Sequence, residues 1–463
     1  MPVAGCGREN QRSVKDFRKV RRNFMLTEIK KLIPAVWLAA YHKLLAVLAD
    51  IIYGRPSEKM VVIGVTGTNG KSSTVSLIAE ILEKAGYRVG AASTTLFKLA
   101  DKEWLNDKKM TMLGRFALQK LLRQMVAAGC RYAVIETSSQ GIEQYRHLGI
   151  HYDVCVFTNL TPEHIEAHGG FDNYKKAKLK LFKHLADAPV KAIGGRKIAK
   201  AIVVNGDDRQ AKEFLDFQVD KKIVFGLADG NQLKAENISY RPNGVSFTVG
   251  EEKFDLKLFG KFNIYNSLAA LAVAQSQGIS LEQCRQALEQ VGGVPGRMEF
   301  IIAGQPFKVL VDYAPEPESM RQLFATIREH QLVDSGNKII HVFGSCGGGR
   351  DVSRRSVLGE LSAQNADVCI VTDEDPYDDD PQMIIDQVAA GAKAIGKIEG
   401  DNLFRILDRR EAIKFALSRA QAGDLVLLTG KGSEQVICVA NGLKLKWDER
   451  EVVRELLKQF FGF

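Results

Sequence analysis

"VVIGVTGTNGKSSTVSLIAEIL", Val61 to Leu82, decides the fold. It is an apolar strand, a glycine-rich turn and an amphipathic helix in direct succession, with a lysine and two serines at the start of the helix. The strict P-loop pattern of Gly, four residues and Gly-Lys-Ser/Thr is not met, because Val65 occupies the first glycine position. The strand-turn-helix context carries more weight than the pattern. In "TGTNGKSS" the backbone N–H groups of Gly67, Asn69 and Gly70 can point at phosphate oxygens, and the helix N-terminus adds partial positive charge. Lys71 can reach terminal phosphates, and Ser72 offers a hydroxyl to Mg²⁺. Gly67, Thr68, Asn69, Gly70, Lys71, Ser72 and Ser73 are therefore the predicted nucleotide-binding segment.

Outward from this loop, short apolar runs alternate with helical stretches: "MVVIGVTG", "KSSTVSLIAEILEKAGY", "YAVIETSS", "YDVCVFTNL" and "AIVVNGDD". Strands followed by helices predict a parallel sheet with crossover helices. Between about 222 and 260, "KIVFGLADG", "ISYRPNGVSFTVG" and "EKFDLKLFG" alternate around Asn-Gly and Gly-rich turns, which predicts a small antiparallel patch. "QVGGVPGRMEF", Gln290 to Phe300, reads as an interdomain linker. After it the alternation restarts with "FKVLVDYA", "KIIHVFGSCG", "DVCIVTD" and "DLVLLTGKG", a second α/β domain. The predicted organisation is 1–58 as a basic tail and amphipathic helical segment, 59–295 as a central P-loop-type domain with a mostly parallel sheet, and 296–463 as a carboxy-terminal α/β domain.

A chain of 463 residues exceeds one hydrophobic core. Its net charge of +9 is concentrated at the start, where the first 31 residues hold nine Lys/Arg against Glu9, Asp16 and Glu28. Basicity confined to a tail does not predict a nucleic-acid-binding face. Seven scattered cysteines without a CxxC pair argue against a zinc ribbon and a disulfide framework, and a reducing cytoplasm fits best. No run is long and apolar enough for a membrane span, and Met25 is an alternative start. From Phe24 to Tyr53 apolar residues recur at helical spacing, with Pro34 expected to break or begin a helix. Two readings stand for this segment: a helix packed on the body, or a basic amphipathic element on an anionic membrane surface.

"YAVIETSSQGIEQYR" puts Glu136 at the end of a buried strand, and "FTNLTPEHIEAHGGFDNYKKAKLKLF" puts His164 just after another. A carboxylate and an imidazole at the carboxyl ends of sheet strands suit a divalent metal beside phosphates.

At this point the chain resembles the Mur ligase family, and within it the MurE type, over roughly residues 60 to 440. "GVTGTNGKSS", "ETSSQGIEQYR", "VFTNLTPEHIEAHGGFDNYKKAKLKLF", "NGDD", "GKFNIYNSLAALA", "GRME", "VDYAPEPESM", "VFGSCGGGRD", "VTDEDPYDDDP" and "LLTGKGSE" occur in the family's order. The resemblance implies a central ATPase domain and a Rossmann-like carboxy-terminal domain closing over it. It implies the reaction too: a peptide carboxylate attacks the γ-phosphate of ATP to give an acyl phosphate, which an incoming amine converts to an amide. In peptidoglycan precursor synthesis the partners would be a muramyl-peptide-like substrate and a free amino acid.

Carried over by position, Lys71, Glu136, His164 and Lys178 form the implied catalytic set, and Ser72, Glu136, His164 and Lys178 the implied Mg²⁺ set. Lys178 matches the lysine that is carbamylated in the family, a change that turns a cation into an anion able to bind or orient a second Mg²⁺. Asn263, Asn266, Arg297 and Asp312 match positions near the nucleotide, as do Asp408 and Arg409 of a "DR" element. Ser138, Gln144 and Arg146 match contacts to the muramyl peptide, and Thr111 keeps the first of two family threonines while Met112 stands at the second.

Three departures sharpen the expectation. The family's uridine-binding domain of about a hundred residues has no counterpart in the 59 residues before the first strand, which points to a muramyl peptide without UDP, a lipid-linked form, or another peptide carboxylate. Enzymes adding meso-diaminopimelate carry "DNPR"; here "EDPY", Glu374, Asp375, Pro376 and Tyr377, is followed by three aspartates, which favours lysine or another diamino acid. "GKGSE" and "DYAPEP" replace "GKGHE" and "DYAHTP", with Gly430, Lys431, Glu434 and Arg350 kept; the resemblance implies that Arg350, Glu374, Asp375, Tyr377, Gly430 and Glu434 lie on the substrate side, with Glu434 able to accept the α-ammonium of the incoming amino acid. A MurT-like enzyme would carry a four-cysteine zinc insert, which is missing, and a non-catalytic nucleotide-binding scaffold conflicts with the retained Lys71, Glu136, His164 and Lys178.

Overall fold

The computed structural model describes residues 34–161, 168–350 and 352–462. Pro34 lacks an N–H and has a preset φ, so it suits a helix start. Helix α1 (Ala35–Ile52) begins directly after it. α1 buries Ala46 and Ala49 on the body, where Gly149 lets the backbones meet: a Cβ there would lie 2.8 Å from the Ala46 carbonyl oxygen. Its opposite face leaves Val36, Trp37, Tyr41, Leu44, Leu48 and Ile51 exposed. The part of the expected helix before Pro34 lies outside the described residues.

Strand β1 (Val61–Thr66) is buried at every position, as a strand with helices on both faces must be. It is followed by α2 (Lys71–Lys84), β2 (Val89–Ala92), β3 (Leu96–Leu99), β4 (Lys102–Leu105), α3 (Arg115–Ala127), β5 (Tyr132–Glu136), α4 (Ser139–Glu143), β6 (Val154–Phe157), α5 (Phe171–Asp187), β7 (Ala201–Asn205), α6 (Ala211–Leu215), β8 (Lys221–Gly226) and β9 (Leu233–Lys234). These nine strands run in the order β9-β8-β7-β6-β1-β5-β2-β3-β4. All pairings are parallel except β2 with β3 and β3 with β4. "KIVFG", expected in the antiparallel patch, is instead β8, paired in parallel with β7 from Lys221↔Ala201 to Phe225↔Asn205. α6 supplies the crossover, and alternation along a partly exposed strand near the edge of a parallel sheet looks the same in sequence as alternation in a hairpin.

The antiparallel patch proper is β10 (Glu236–Arg241), β11 (Gly244–Val249) and β12 (Glu252–Leu256). α7 (Lys261–Ser276) then packs on α2 and on β7 and β8, and is buried almost all round because alanines let it approach closely. α8 (Leu281–Leu288) closes this half with a Ser280–Gln283 capping box. One core lies between the sheet and α2 and α7, the other between the sheet and α3 and α5.

Past the linker come β13 (Glu299–Phe300), β14 (Lys308–Val311), α9 (Pro317–Glu329), β15 (Ile339–Phe343), α10 (Arg354–Asn365), β16 (Val368–Val371), α11 (Pro381–Ala394), β17 (Leu403–Arg405), α12 (Arg409–Arg419), β18 (Leu425–Leu428), β19 (Val436–Val439), β20 (Leu443–Lys446) and α13 (Glu449–Phe461). Six strands form a second sheet, β13-β14-β18-β15-β16-β17, with only β13 antiparallel. The linker is not free chain. Gly296 has φ +63°, and a Cβ on it would lie 2.1 Å from the amide nitrogen of Ser433 in "GKGSE".

The "DR" pair is not in the lining of the cavity between the domains. Asp408 caps α12 by accepting from Glu411 N at 3.0 Å. Arg409 is fully buried, donates to both oxygens of Glu449 at 2.8 and 2.6 Å, and also bonds the carbonyls of Thr429 and Asp373 at 2.6 and 3.1 Å. Its guanidinium therefore ties α13 to the ends of β18 and β16. Removing one partner of a buried pair strands the other charge. Glu449→Ala is expected to lower the unfolding free energy by about 3–5 kcal/mol, read by denaturant unfolding; a loss within experimental error would show that the fold relaxes around a lone Arg409.

Candidate active site

In a parallel sheet the carboxyl ends of the strands share one edge, and β1, β2, β5 and β6 deliver their following loops there. The loop after β1 is shaped by two glycines. A Cβ on Gly67 would lie 1.9 Å from Thr158 Oγ1, and one on Gly70, at φ +81°, would lie 2.2 Å from Asn266 Oδ1. The loop is braced by the one after β6: Thr68 N donates to Asn159 O at 2.9 Å, Asn69 N to Asn159 Oδ1 at 2.9 Å, and Thr158 Oγ1 to Asn69 O at 2.7 Å. Lys71, the first residue of α2, folds its ammonium back to Thr68 O at 2.7 Å. The loop suits a polyphosphate on its own geometry, as a cradle of backbone that side chains at Gly67 and Gly70 would fill, with a lysine and a helix N-terminus at its rim.

Glu136 ends β5 and is buried. Its Oε2 accepts from Ser72 Oγ and from Thr94 N, both at 2.7 Å, and its Oε1 lies 3.0 Å from Thr94 Oγ1. Thr94 Oγ1 is also 2.9 Å from Thr111 Oγ1, which links this carboxylate to the predicted acceptor side. Lys178 on α5 is buried, donates to Gly67 O at 2.8 Å and stands 4.2 Å from the centre of the Tyr174 ring. His164 lies outside the described residues.

A cavity of about 700 Å³ opens at this edge and is lined from both domains. Gly67 to Ser73, Glu136 and Lys178 form one wall, with Thr111, Ser138 and Arg146 beside them. Ser138 Oγ caps α4 by accepting from Gly141 N at 3.2 Å. Asn266, Arg297 and Asp312 line the cavity as well, and so does Arg350. Asn263 does not; it accepts from Asn266 Nδ2 at 2.9 Å and so fixes the amide that does. Gln144 also stays off the cavity, exposed and accepting from Arg146 Nη2 at 2.6 Å. Arg297 stacks 4.3 Å above the Tyr313 ring. Asp312 accepts from Met298 N at 2.7 Å and Ala314 N at 2.9 Å. Burial pushes its carboxyl above the ordinary carboxylate range despite Arg297 and these amides.

The remaining predicted residues stand behind that lining. Glu374 accepts from Cys346 Sγ at 2.9 Å, and burial raises its pKa. Gly430, at φ +101°, exists to clear it: a Cβ there would lie 2.4 Å from Glu374 Oε2. Tyr377 packs against Gly348. Asp375 and Glu434 share the ammonium of Lys431, at 3.0 and 2.9 Å, and both also bond Lys109 from the central domain. Burial would raise the pKa of Asp375, but Lys431 and Lys109 outweigh it and hold the carboxyl below its ordinary value.

Residues 65–274 match the Mur ligase middle domain, and residues 296–432 match the Mur ligase glutamate ligase domain. The chain belongs to the Mur ligase family. It is 40% identical over 440 residues to a UDP-N-acetylmuramyl-tripeptide synthetase of Roseiflexus sp. (strain RS-1), covering 92% of this chain and 84% of that protein. It is 35% identical over 432 residues to a UDP-N-acetylmuramoyl-L-alanyl-D-glutamate--2,6-diaminopimelate ligase of Geobacillus kaustophilus (strain HTA426), covering 92% and 85%. Among solved structures, the MurF ligase of Thermotoga maritima in complex with ADP matches the fold with a TM-score of 0.62 at 18% identity, over 90% of this chain and 83% of that one. This Mur ligase is thus an ATP-dependent, amide-forming enzyme of the MurE type.

Three contributors were not singled out in the sequence. Thr94 follows the short strand β2, and the strand-end rule applied to Glu136 would have found it. Asn159 sits in "FTNLT", where an Asn just after a strand could have been read as a loop brace. Lys109 carried no signal, because its partners are 266 and 325 residues away in the chain. The glycine cradle yields a direct test. Gly70→Ala forces a Cβ into Asn266 at a left-handed backbone position, a cost of about 1–3 kcal/mol. ATP affinity of this Mur ligase is expected to fall by about tenfold or more, measured by calorimetry on a variant whose melting is checked; unchanged affinity would mean that the cradle is not the phosphate site.

Proposed function

We propose that this Mur ligase joins a free amino acid, lysine or another diamino acid, to the carboxylate of a muramyl-peptide-like acceptor in peptidoglycan precursor synthesis. The observation that carries the reading is the single cavity shared by Lys71, Glu136 and Lys178, by Thr111, Ser138 and Arg146, and by Arg350 of the other domain. A carboxylate is a poor acyl donor until one oxygen becomes a good leaving group. The acceptor carboxylate attacks the γ-phosphorus of ATP, ADP leaves, and the amine then attacks the acyl phosphate carbonyl and expels phosphate. Lys71 and the N-terminus of α2 neutralise charge gathering on the transferred phosphoryl group, while Arg146 and Ser138 hold the acceptor. Asn266, Arg297 and Asp312 bind the nucleotide. The hydroxyl of Ser72 and the carboxylate of Glu136 are hard oxygen ligands side by side at the phosphate loop, and with His164 and Lys178 would hold Mg²⁺, which would neutralise phosphate charge. Lys178 fits that role as its carbamate.

The choice of amino acid rests on Glu374 to Tyr377. Where diaminopimelate-adding enzymes present an arginine, this chain has Tyr377 among carboxylates, a setting that favours a distal ammonium over a distal carboxylate. We place the reaction in the cytoplasm. No helix among the described residues is long and apolar enough to cross a membrane. The exposed apolar stripe of α1, preceded by the basic stretch from Arg8 to Lys31, favours peripheral contact with an anionic membrane surface.

Phosphate release is expected to require both a muramyl dipeptide, offered with and without UDP, and an amino acid, with lysine outrunning meso-diaminopimelate. Lys178→Ala should lower turnover at least about a hundredfold, with short carboxylic acids restoring part of it. Release without an acceptor, or diaminopimelate as the faster substrate, would overturn the corresponding part. For the membrane contact, Leu44→Glu with Leu48→Glu is expected to abolish co-sedimentation with phosphatidylglycerol vesicles; equal binding by the variant would refute it.

A further inference from the structure

Lys109 lies on the loop between β4 and α3 at φ +54°, a left-handed conformation that a lysine holds only under constraint. The constraint crosses the domain boundary. Its Nζ is 2.6 Å from Asp375 Oδ2 and also bonds Glu434 Oε2. From the other side Lys431, fully buried, donates to Asp375 Oδ1, Glu434 Oε2 and the Val436 carbonyl at 3.0, 2.9 and 2.8 Å, so that all three of its protons have acceptors. Two carboxylates and Lys431 leave one negative charge in this buried cluster, and Lys109 cancels it. Lys109 lines the cavity, whereas Asp375 and Glu434 do not. Lys109, which bonds both carboxylates, therefore stands between the pair and the cavity, beside Cys346, whose Sγ is 3.9 Å from Asp375 Oδ2.

We propose that Lys109 is a specificity-determining gate, its ammonium filling the cation position between Asp375 and Glu434 until the distal ammonium of an incoming diamino acid displaces it. This rests on the reading of Asp375 and Glu434 as part of the amino-acid pocket. The amine that attacks the acyl phosphate must be unprotonated and cannot take over a cation's place, so the exchange falls to a second amine that stays charged. An amino acid without one leaves an unpaired carboxylate if Lys109 moves, and that imbalance selects against it. The exchange also reports to the acceptor side. Thr111, two residues along the same loop, sits 2.9 Å from Thr94 Oγ1, which in turn contacts Glu136.

The test uses the full chain with ATP and acceptor saturating and lysine varied. Lys109→Met is expected to lower the KM for lysine by about tenfold with the KM for ATP unmoved, and Lys109→Arg, which keeps the cation, to stay near wild type. A lysine KM that rises or does not change in Lys109→Met overturns the gate. Glu434→Gln separates the two readings: a raised lysine KM there keeps the pocket, so that an unmoved Lys109→Met then defeats the gate alone, while an unmoved Glu434→Gln or no lysine-dependent turnover defeats the pocket and the gate together. Independently of any variant, amide exchange over residues 106–112 of the wild type should quicken when lysine is added; slower or unchanged exchange counts against displacement.

Discussion

Parallel pairing of β1 between β5 and β6 is the constraint from which the site follows. Three strands running the same way must release their chains at the same edge, and Glu136, the last residue of β5, draws the neighbouring loops together by accepting from Ser72 and Thr94. None of these side chains needs to travel far, because Glu136 is the last residue of its strand, Thr94 the second beyond its own, and Ser72 lies in the first turn of a helix. The glycine loop between β1 and α2 can then be short and closely braced, with Asn159 and Asn266 pressing on it from two sides. Buried helices on both faces of the sheet keep that edge rigid.

The second domain contributes charge more than shape. Its strand ends carry Asp312, Glu374 and Asp375, and its turns carry Arg350, Lys431 and Glu434, so that acidic and basic groups alternate across a few ångströms. Burial pushes carboxyl pKa values up, and it does so for Asp312 and Glu374. Asp375 escapes because two lysines face it. The result is a graded set in which carboxyls raised above and held below their ordinary values stand close together, Asp312 in the cavity lining and Glu374 and Asp375 behind it.

What the sequence reveals follows the range of the interactions. The strand, glycine turn and helix from Val61 to Lys84 are local, and their order is legible from apolar runs and glycines. The two α/β halves are legible for the same reason. "KIVFG" joins a different sheet from the one its pattern predicts, because a period of two identifies a strand without naming its partners, and one partner of β8 comes 20 residues earlier across α6. Motif resemblance pointed to Ser138, Arg146 and Asn266, which line the cavity, and also to Gln144, which turns to solvent, and Asn263, which acts through its neighbour. A motif aligns positions along the chain; whether a side chain faces a cavity depends on packing that no short stretch encodes. Lys109 is the extreme case, since the carboxylates its side chain bonds lie in another domain.

The close approach of Gly296 to Ser433 joins two parts usually considered separately. The segment that links the domains is pressed against the turn that carries Glu434, with no room for even a methyl group between them. The linker is therefore packed into the domain it leads to. Residues 294–297 and the turn that bears Lys431 and Glu434 share one tight contact, and the backbone joining the two halves is also the backbone that fixes where that turn sits.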